Sequence, residues 1–260
     1  MKEFFGIGGY QRQPEGFLSW QHLTFVTILM VIMVISATML GKKYRNAPLK
    51  IQNRVLIWPA LLIDGFEIVK IVLACSVDPM AWTRMLPLFL CSIQLISIPV
   101  AAFAKGKVKQ AAMDFICLFG LLGAVLGTYG AGQNYKCYPV LSFDNVVSGI
   151  THSISGFAAL YLMISGMTKM EKRNVVSSLC ILTAFCVAAY IANVLLDYNY
   201  MFLMRGDGTP YDIFYNLLGG HKVFYPVTVA GLFYAYIFLF YNIYGHFAKK
   251  SAEKATPVNN

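Results

Sequence analysis

The chain has 260 residues, of which 58% are hydrophobic and only 13% are charged. Soluble domains carry about 25% charged residues, so this composition excludes a water-soluble globular protein, and it also excludes disordered and disulfide-scaffold classes. The 21 Lys and Arg outnumber the 12 Asp and Glu. In a soluble protein this excess would suggest nucleic-acid binding, but in a membrane protein it marks topology, and we expect no nucleic-acid partner.

Seven apolar stretches are long enough to cross a bilayer, which needs about 20 residues per helix. In chain order they lie near residues 19–40, 55–77, 85–104, 111–131, 146–167, 175–196 and 223–244. No repeat of fixed period and no inverted pair of broken helices is visible among them. The sequence therefore predicts an all-α polytopic membrane protein, a bundle of seven transmembrane helices that forms one domain over residues 19–244.

Lys and Arg collect in alternate gaps between the predicted spans. Fourteen of the 21 lie in the first, third and fifth gaps and in the C-terminal tail, whereas six lie on the opposite side and one lies inside the second span. The positive-inside rule then places the N-terminus outside and the C-terminus in the cytoplasm. We accordingly expect residues 1–18 to form an extracytoplasmic segment and residues 245–260 to form a cytoplasmic tail in a plasma-membrane protein.

The second span contains three ionisable residues, Asp64, Glu67 and Lys70, spaced three positions apart on one face of the helix. Each costs at least about 2.5 kcal/mol at the bilayer centre, so they should face the bundle interior. Two interpretations remain open: a Glu67–Lys70 pair that only neutralises itself, or the lining of a polar site. Asp114 begins its predicted span and is interpreted as an acid that suits a helix N-terminus.

Several polar groups fall at similar depths below the predicted outer face. At a rise of about 1.5 Å per residue, Cys91, His152 and Lys70 lie about 10 Å down and Glu67 about 15 Å down. A thiol beside an imidazole can act as a nucleophile that carries acyl groups. A lone Cys in an apolar helix is also commonly an inert small hydrophobe, and the chain has five other Cys. A small polar strip shares the fifth span with His152: Ser148, Thr151 and Ser155.

The remaining histidines and cysteines favour neither a metal nor a cofactor. His22, His221 and His246 are interpreted as interfacial residues, and the chain contains no HxxxH or HxxH pair that would hold zinc. Phosphate-binding loops, GxSxG elbows and dinucleotide fingerprints are missing as well. Cys75 and Cys137 both fall at the outer face, where they could form a disulfide or stay free.

Residues 86–93 (LPLFLCSI), the polar second span and residues 199–203 (NYMFL) together resemble the YwaF-like family of bacterial integral membrane proteins. The resemblance covers nearly the whole chain and implies a bacterial plasma-membrane protein. The family is distantly similar to a vertebrate multi-pass acyltransferase that loads polyunsaturated acyl chains onto ether phospholipids. That relative requires a Cys in the third-span motif and a downstream His, and the matching positions are Cys91 and His152.

These features predict a lipid acyltransferase or lipid acyl hydrolase with membrane lipids as substrates. Cys91 would attack an acyl ester and His152 would move the proton. The groups expected to bind the substrate are Glu67, Lys70, Gln94, Asn193, Asn199 and Tyr200, the last two in a turn-rich outer loop over residues 197–222.

Two alternatives from other classes stay open. One is a small-solute or ion transporter, in which the second-span charges and Asn193 line a route through the membrane. The other is a structural partner of another membrane protein, which would dock on the Gly and Ser strip of the fifth span.

Overall fold

The computed structural model describes residues 3–7 and 10–255, with side chains up to residue 247. Four residues of the predicted N-terminal segment, at positions 1, 2, 8 and 9, and five of the predicted tail, 256–260, lie outside the described residues. All regular secondary structure in the described ranges is helical. The α-helices are α1 (Trp20–Tyr44), α2 (Leu49–Val77), α3 (Gln94–Phe103), α4 (Gly106–Tyr129), α5 (Gly132–Cys137), α6 (Phe143–Ser165), α7 (Val175–Leu196), α8 (Asp212–Leu217) and α9 (Phe224–Ala255). Short 3-10 turns lie at Ala81–Arg84, Lys172–Asn174 and Tyr200–Phe202.

The helices confirm a membrane protein with transmembrane segments. Within the described residues, five helices are long and apolar enough to cross a membrane: α1, α4, α6, α7 and α9. Helix α2 has sufficient length, with 29 residues, but it carries Asp64, Glu67 and Lys70. Helix α3 has only 10 residues.

The predicted third span, 85–104, is helical only in its second half. Residues 85–93 form turns, and Cys91 therefore lies on a turn rather than on a helix. Pro87 disfavours helical dihedrals at the residue before it. Pro59 and Pro99 nevertheless lie inside α2 and α3, so Pro87 accounts for the start of this segment and not for all of it.

The chain divides into two compact units, Met1–Thr168 and Lys169–Asn260. In the first unit α6 packs against α1, α4 and α2, and α3 packs against α2 and α4. Small residues on α6 permit these close contacts. A Cβ atom at Gly149 would meet Leu29 of α1 at 2.8 Å, and one at Gly156 would meet Met33 of α1 at 2.3 Å. The Gly and Ser strip of the fifth predicted span is therefore occupied inside the first unit.

In the second unit α7 packs against α9. Hydroxyl groups link the two helices, since Ser178 Oγ lies 3.0 Å from the Tyr241 hydroxyl and Thr183 Oγ1 lies 2.6 Å from the Tyr234 hydroxyl. The connection between them contains α8 and several residues with positive φ, including Met201 and Asp207. It has the turn-rich character that its sequence predicts.

The N-terminal segment is fastened to the connection that precedes α6. The Val140 N–H donates to Glu15 Oε2 at 2.7 Å, and the Tyr10 hydroxyl donates to Asp144 Oδ2 at 2.8 Å. Partial burial opposes ionisation of Glu15, but the Val140 N–H, the N–H of Glu15 itself and the Arg12 guanidinium hold the pKa of this carboxyl below its ordinary value. Burial, followed by the hydrogen bond to Asp144, raises the pKa of Tyr10.

We expect the Glu15→Gln substitution to loosen this attachment, because a hydrogen bond to a charged acceptor contributes about 1.5 kcal/mol or more. Hydrogen exchange at the Val140 amide should speed up about tenfold. Since the folded-state pKa of Glu15 is lowered, its stabilisation is complete above the ordinary carboxyl pKa of about 4.3 and is lost as the pH falls through the folded value. The protection of the Val140 amide from exchange in wild type should therefore fall to that of Glu15→Gln at low pH. Glu3→Gln, in the same segment, should leave Val140 unchanged, and equal exchange in wild type and Glu15→Gln at neutral pH would contradict the account.

Candidate functional site

A small polar cavity of about 60 Å³ lies inside the first unit. It is lined by α2, by the turns before α3, by α3 and by α6. The structure thus brings together four residues that the sequence singles out: Cys91, His152, Glu67 and Lys70. The other lining residues are Ile63, Ser92, Leu95, Ser148, Thr151 and Ser155.

His152 is held in a defined orientation by its own helix. Its Nδ1 lies 2.7 Å from the carbonyl oxygen of Ser148, one turn earlier in α6. A carbonyl oxygen only accepts hydrogen bonds, so Nδ1 carries the proton and Nε2 presents a lone pair. Nε2 is buried and has no aligned hydrogen-bond partner among the described residues. The imidazole is therefore arranged to receive a proton.

Cys91 lines the same cavity as this imidazole. The Cys91 sulfur also lies 4.0 Å from Ser92 Oγ. Because residues 85–93 are turns, the helical rise used to estimate the depth of Cys91 does not apply there, yet the thiol reaches the cavity that His152 lines.

Two glycines of α4 make room for the thiol and the imidazole. A Cβ atom at Gly127 would lie 2.0 Å from Cδ2 and 2.1 Å from Nε2 of His152. A Cβ atom at Gly123 would lie 3.3 Å from Cβ of Cys91. These glycines are four residues apart and therefore share a helix face. The sequence reasoning missed them, although their spacing in an apolar helix is the signal of a close contact.

Glu67 and Lys70 form an ion pair at the cavity wall. Lys70 Nζ lies 2.7 Å from Glu67 Oε2, and the two side chains are only 18% and 12% exposed, respectively. The pair neutralises its own charge and also lines the cavity. A self-neutralising pair and the lining of a polar site are therefore compatible descriptions of Glu67 and Lys70. Asp64 lies on the same helix but does not line the cavity.

We expect Lys70→Met to destabilise the protein by about 3 kcal/mol, because it leaves the Glu67 carboxylate buried without its partner. The double variant Glu67→Gln, Lys70→Met should recover most of that loss. Thermal or denaturant unfolding in detergent would measure both. Arg84→Met offers a matched control, since the Arg84–Asp78 pair is 51% and 44% exposed and should contribute less than about 1 kcal/mol. A Lys70→Met protein as stable as wild type would contradict this reading of the pair.

Gln94 lies at the start of α3 but outside the cavity lining. Its side chain is fully buried, and both Oε1 and Nε2 have no partner within the part of the chain that the structure describes. Because Gln94 does not reach the cavity, the structure does not support its predicted role in substrate binding.

Asn193, Asn199 and Tyr200 lie in the second unit, where they hold the loop after α7. The Asn193 amide donates to the Tyr200 carbonyl at 3.0 Å. The Asn199 amide donates to the Arg205 carbonyl at 2.7 Å and accepts from the Met204 N–H at 2.9 Å. The side-chain amides of Asn193 and Asn199 are thus used by the loop backbone, which gives these two residues a structural role.

Two other sequence interpretations need correction. Asp114 does not begin a helix, because α4 starts at Gly106; it is fully buried and accepts from Gln110 Nε2 at 2.8 Å. His22 is not interfacial: it is fully buried, Nε2 lies 3.1 Å from the Thr128 carbonyl oxygen, and Nδ1 accepts from the Leu18 N–H. Of the two states left open for Cys75 and Cys137, the structure has the free thiols.

The fold and the cavity define an all-helical integral membrane protein with a thiol and an imidazole in a polar cavity between its helices. The model of the TMEM164 family matches residues 17–241, and the chain belongs to this family. The match includes every residue that lines the cavity. No curated protein and no solved structure matches the chain.

Proposed function

We propose that this protein is a thiol-dependent lipid acyltransferase, and a lipid acyl hydrolase when water is the acceptor. The observation that carries the proposal is that Cys91 lines the same small cavity as His152, whose Nδ1–H is bound by the Ser148 carbonyl. The resemblance of residues 86–93 to a family distantly similar to a phospholipid acyltransferase adds support. Membrane lipids are the proposed substrates.

The reaction proceeds in two balanced steps. His152 Nε2 takes the thiol proton, the Cys91 sulfur attacks the acyl carbonyl carbon, and the carbon–oxygen ester bond breaks as the lipid alkoxide leaves with the proton from His152. The acyl group is then a thioester on Cys91. His152 next takes a proton from the acceptor hydroxyl, whose oxygen attacks the thioester carbonyl, and the sulfur leaves and regains a proton.

The remaining lining residues fit supporting roles in this chemistry. The Lys70 ammonium and the Ser92 hydroxyl offer positive or hydrogen-bonding groups where negative charge develops on the carbonyl oxygen. Glu67 holds Lys70 in place through their ion pair. A volume of about 60 Å³ admits an ester group rather than a whole headgroup, so the rest of the lipid would remain outside this cavity.

The turns at residues 85–93 also support a cavity role. At membrane depth, irregular backbone is tolerated where it is buried in protein or lines a polar cavity. Helix α3 extends about 15 Å, only half of a hydrocarbon core of about 30 Å. We propose that α3 and the turns before it together make the third of seven spans and that α2 makes the second.

The proposed orientation, with the N-terminus outside a bacterial plasma membrane, has a direct test at Cys137, an exposed free thiol at the end of α5. We expect a membrane-impermeant maleimide to label Cys137 in intact cells, because α5 would lie on the outer side. Cys137→Ser would serve as the control that identifies the labelled position. Labelling only after the cells are opened would contradict the orientation.

The enzymatic proposal is tested with purified protein in liposomes that contain a phospholipid with a labelled acyl chain and an unlabelled lysophospholipid acceptor. Wild type should transfer or release the label, and Cys91→Ala should not. Cys180→Ala is the matched control, since Cys180 is an exposed thiol in the second unit. Equal transfer by wild type and Cys91→Ala would refute the proposal.

The transporter alternative draws on one observation, the charged Glu67–Lys70 pair at the cavity wall. Of the other residues assigned to that route, Asp64 does not line the cavity, and the Asn193 amide binds the Tyr200 backbone. Solute flux that requires Lys70 but not Cys91 would favour the alternative. The structural-partner alternative assumed a free strip on α6, which α1 and α4 occupy.

A further inference from the structure

A second and larger cavity, of about 650 Å³, forms an open groove among α1, α2 and α6 of the first unit. It shares no lining residue with the Cys91–His152 cavity. Its size falls in the range of about 300–1,000 Å³ that is typical of small-molecule sites. The wall includes Met33, Trp58, Pro59 and Phe157.

The wall of the groove is apolar along most of its length. The two serines in the wall do not change this, because each hydroxyl is used within its own helix. Ser36 Oγ donates to the Ile32 carbonyl at 2.7 Å, and Ser153 Oγ donates to the Gly149 carbonyl at 2.7 Å. The middle of the groove therefore offers no free hydroxyl to a ligand and suits a hydrocarbon chain.

One end of the groove is polar and positively charged. Arg54 and Tyr44 line it there, and Lys43 Nζ lies 5.4 Å from the centroid of the Tyr44 ring. Arg54 is exposed and has no hydrogen-bond or ion-pair partner within the described side chains. No carboxylate among the described residues lines the groove. This end is complementary to a negatively charged group.

We infer that the groove binds one anionic phospholipid, with its phosphate on Arg54 and an acyl chain along α1, α2 and α6. A ligand that is negative at one end and apolar over the rest matches the distribution of charge along the wall. Among the described residues, the single unpaired cation at one end of an apolar wall favours a ligand whose only charge lies at one end. The inference goes beyond the proposed acyl transfer and does not depend on Cys91.

Trp58 provides the probe, because it lines the groove and its side chain is 68% exposed. A variant with Trp58 as the single tryptophan, made by Trp20→Phe and Trp82→Phe, is placed in bilayers with traces of phospholipid brominated on an acyl chain. Brominated phosphatidylglycerol should quench Trp58 fluorescence by half at a mole fraction about fivefold lower than brominated phosphatidylcholine does. This is the preference for an anionic lipid that is expected of one basic side chain near the surface. Unbrominated phosphatidylglycerol should compete, and inorganic phosphate should not.

Arg54→Gln should remove the preference between the two lipids. Lys50→Gln is the matched control, because Lys50 is an exposed cation in the same region of the chain that does not line the groove. Ser153→Phe should reduce quenching by either lipid, because the added ring fills the groove. Cys91→Ala should bind as wild type does, so loss of acyl transfer and loss of lipid binding are distinguishable. Quenching that follows mole fraction alone for both lipids, or a preference that survives Arg54→Gln, would overturn the inference.

Discussion

Gly127→Ala is expected to lower the rate of acyl transfer about a hundredfold while the protein still folds. The new methyl group would occupy the position of the His152 ring, which lies 2.0–2.1 Å from the ideal Cβ, so the ring must rotate away. Displacement of a catalytic group by about 1 Å lowers the rate about a hundredfold. Overpacking costs typically about 1–3 kcal/mol of stability, which a folded membrane protein can tolerate. The measurement is the liposome transfer rate beside the unfolding midpoint in detergent.

Two further glycine variants serve as controls for Gly127→Ala. Gly123→Ala should have a smaller effect, because its Cβ would lie 3.3 Å from the Cys91 Cβ and a small shift relieves the contact. Gly65→Ala on α2 should leave transfer unchanged, since no atom lies within 4 Å of its Cβ. If Gly127→Ala and Gly65→Ala transfer at the same rate, His152 does not act from the position described.

His152→Gln is expected to lower transfer by about 10²- to 10⁴-fold, the usual contribution of a general base. The Gln side chain has a similar size but cannot accept a proton. Both thioester formation and thioester transfer should slow, because the imidazole moves a proton in each step. Quenched single-turnover kinetics separate the two.

The matched control for His152→Gln is His246→Gln, an exposed position near the end of α9. Its transfer rate should equal that of wild type. If His152→Gln keeps more than about a tenth of the wild-type rate, a general-base contribution of the usual size is excluded.

Sequence reasoning reached much of the fold because apolar stretches of about 20 residues have one main interpretation. It also selected Cys91, His152, Glu67 and Lys70, since ionisable groups in a membrane segment must face polar surroundings. Hydropathy does not predict the turns at residues 85–93, because an apolar run has no periodicity that separates a buried helix from a buried loop. Pro87 was the available signal.

The errors have a common physical cause. Asp114, His22 and Asn193 are polar residues near predicted span ends, where water or headgroups could satisfy them. In the fold, tertiary contacts satisfy two of them instead: the Thr168 hydroxyl donates to Asp114, and His22 Nε2 lies beside the Thr128 carbonyl. Such pairings join residues up to 106 positions apart, and no local pattern in the sequence encodes them.

The glycine contacts of α4 illustrate the opposite case. Gly123 and Gly127 are four residues apart, and this spacing predicts that another segment approaches that face of α4 closely. The identity of the approaching groups was not, because it depends on how α6 and the turns before α3 pack against α4. The groove of α1, α2 and α6 is likewise a product of packing, although its charged residue, Arg54, belongs to the cluster of cations that marks topology.

In the proposed reaction Cys91 carries the acyl group, and peptide mass spectrometry after rapid quenching tests this directly. Wild-type protein in liposomes with an acyl-labelled phospholipid and no acceptor should carry a hydroxylamine-labile acyl group on the peptide that contains Cys91. Cys91→Ala should carry none on that peptide, and His152→Gln should acquire it more slowly than wild type. A bare Cys91 thiol in wild type under conditions in which labelled lipid is consumed would contradict the account.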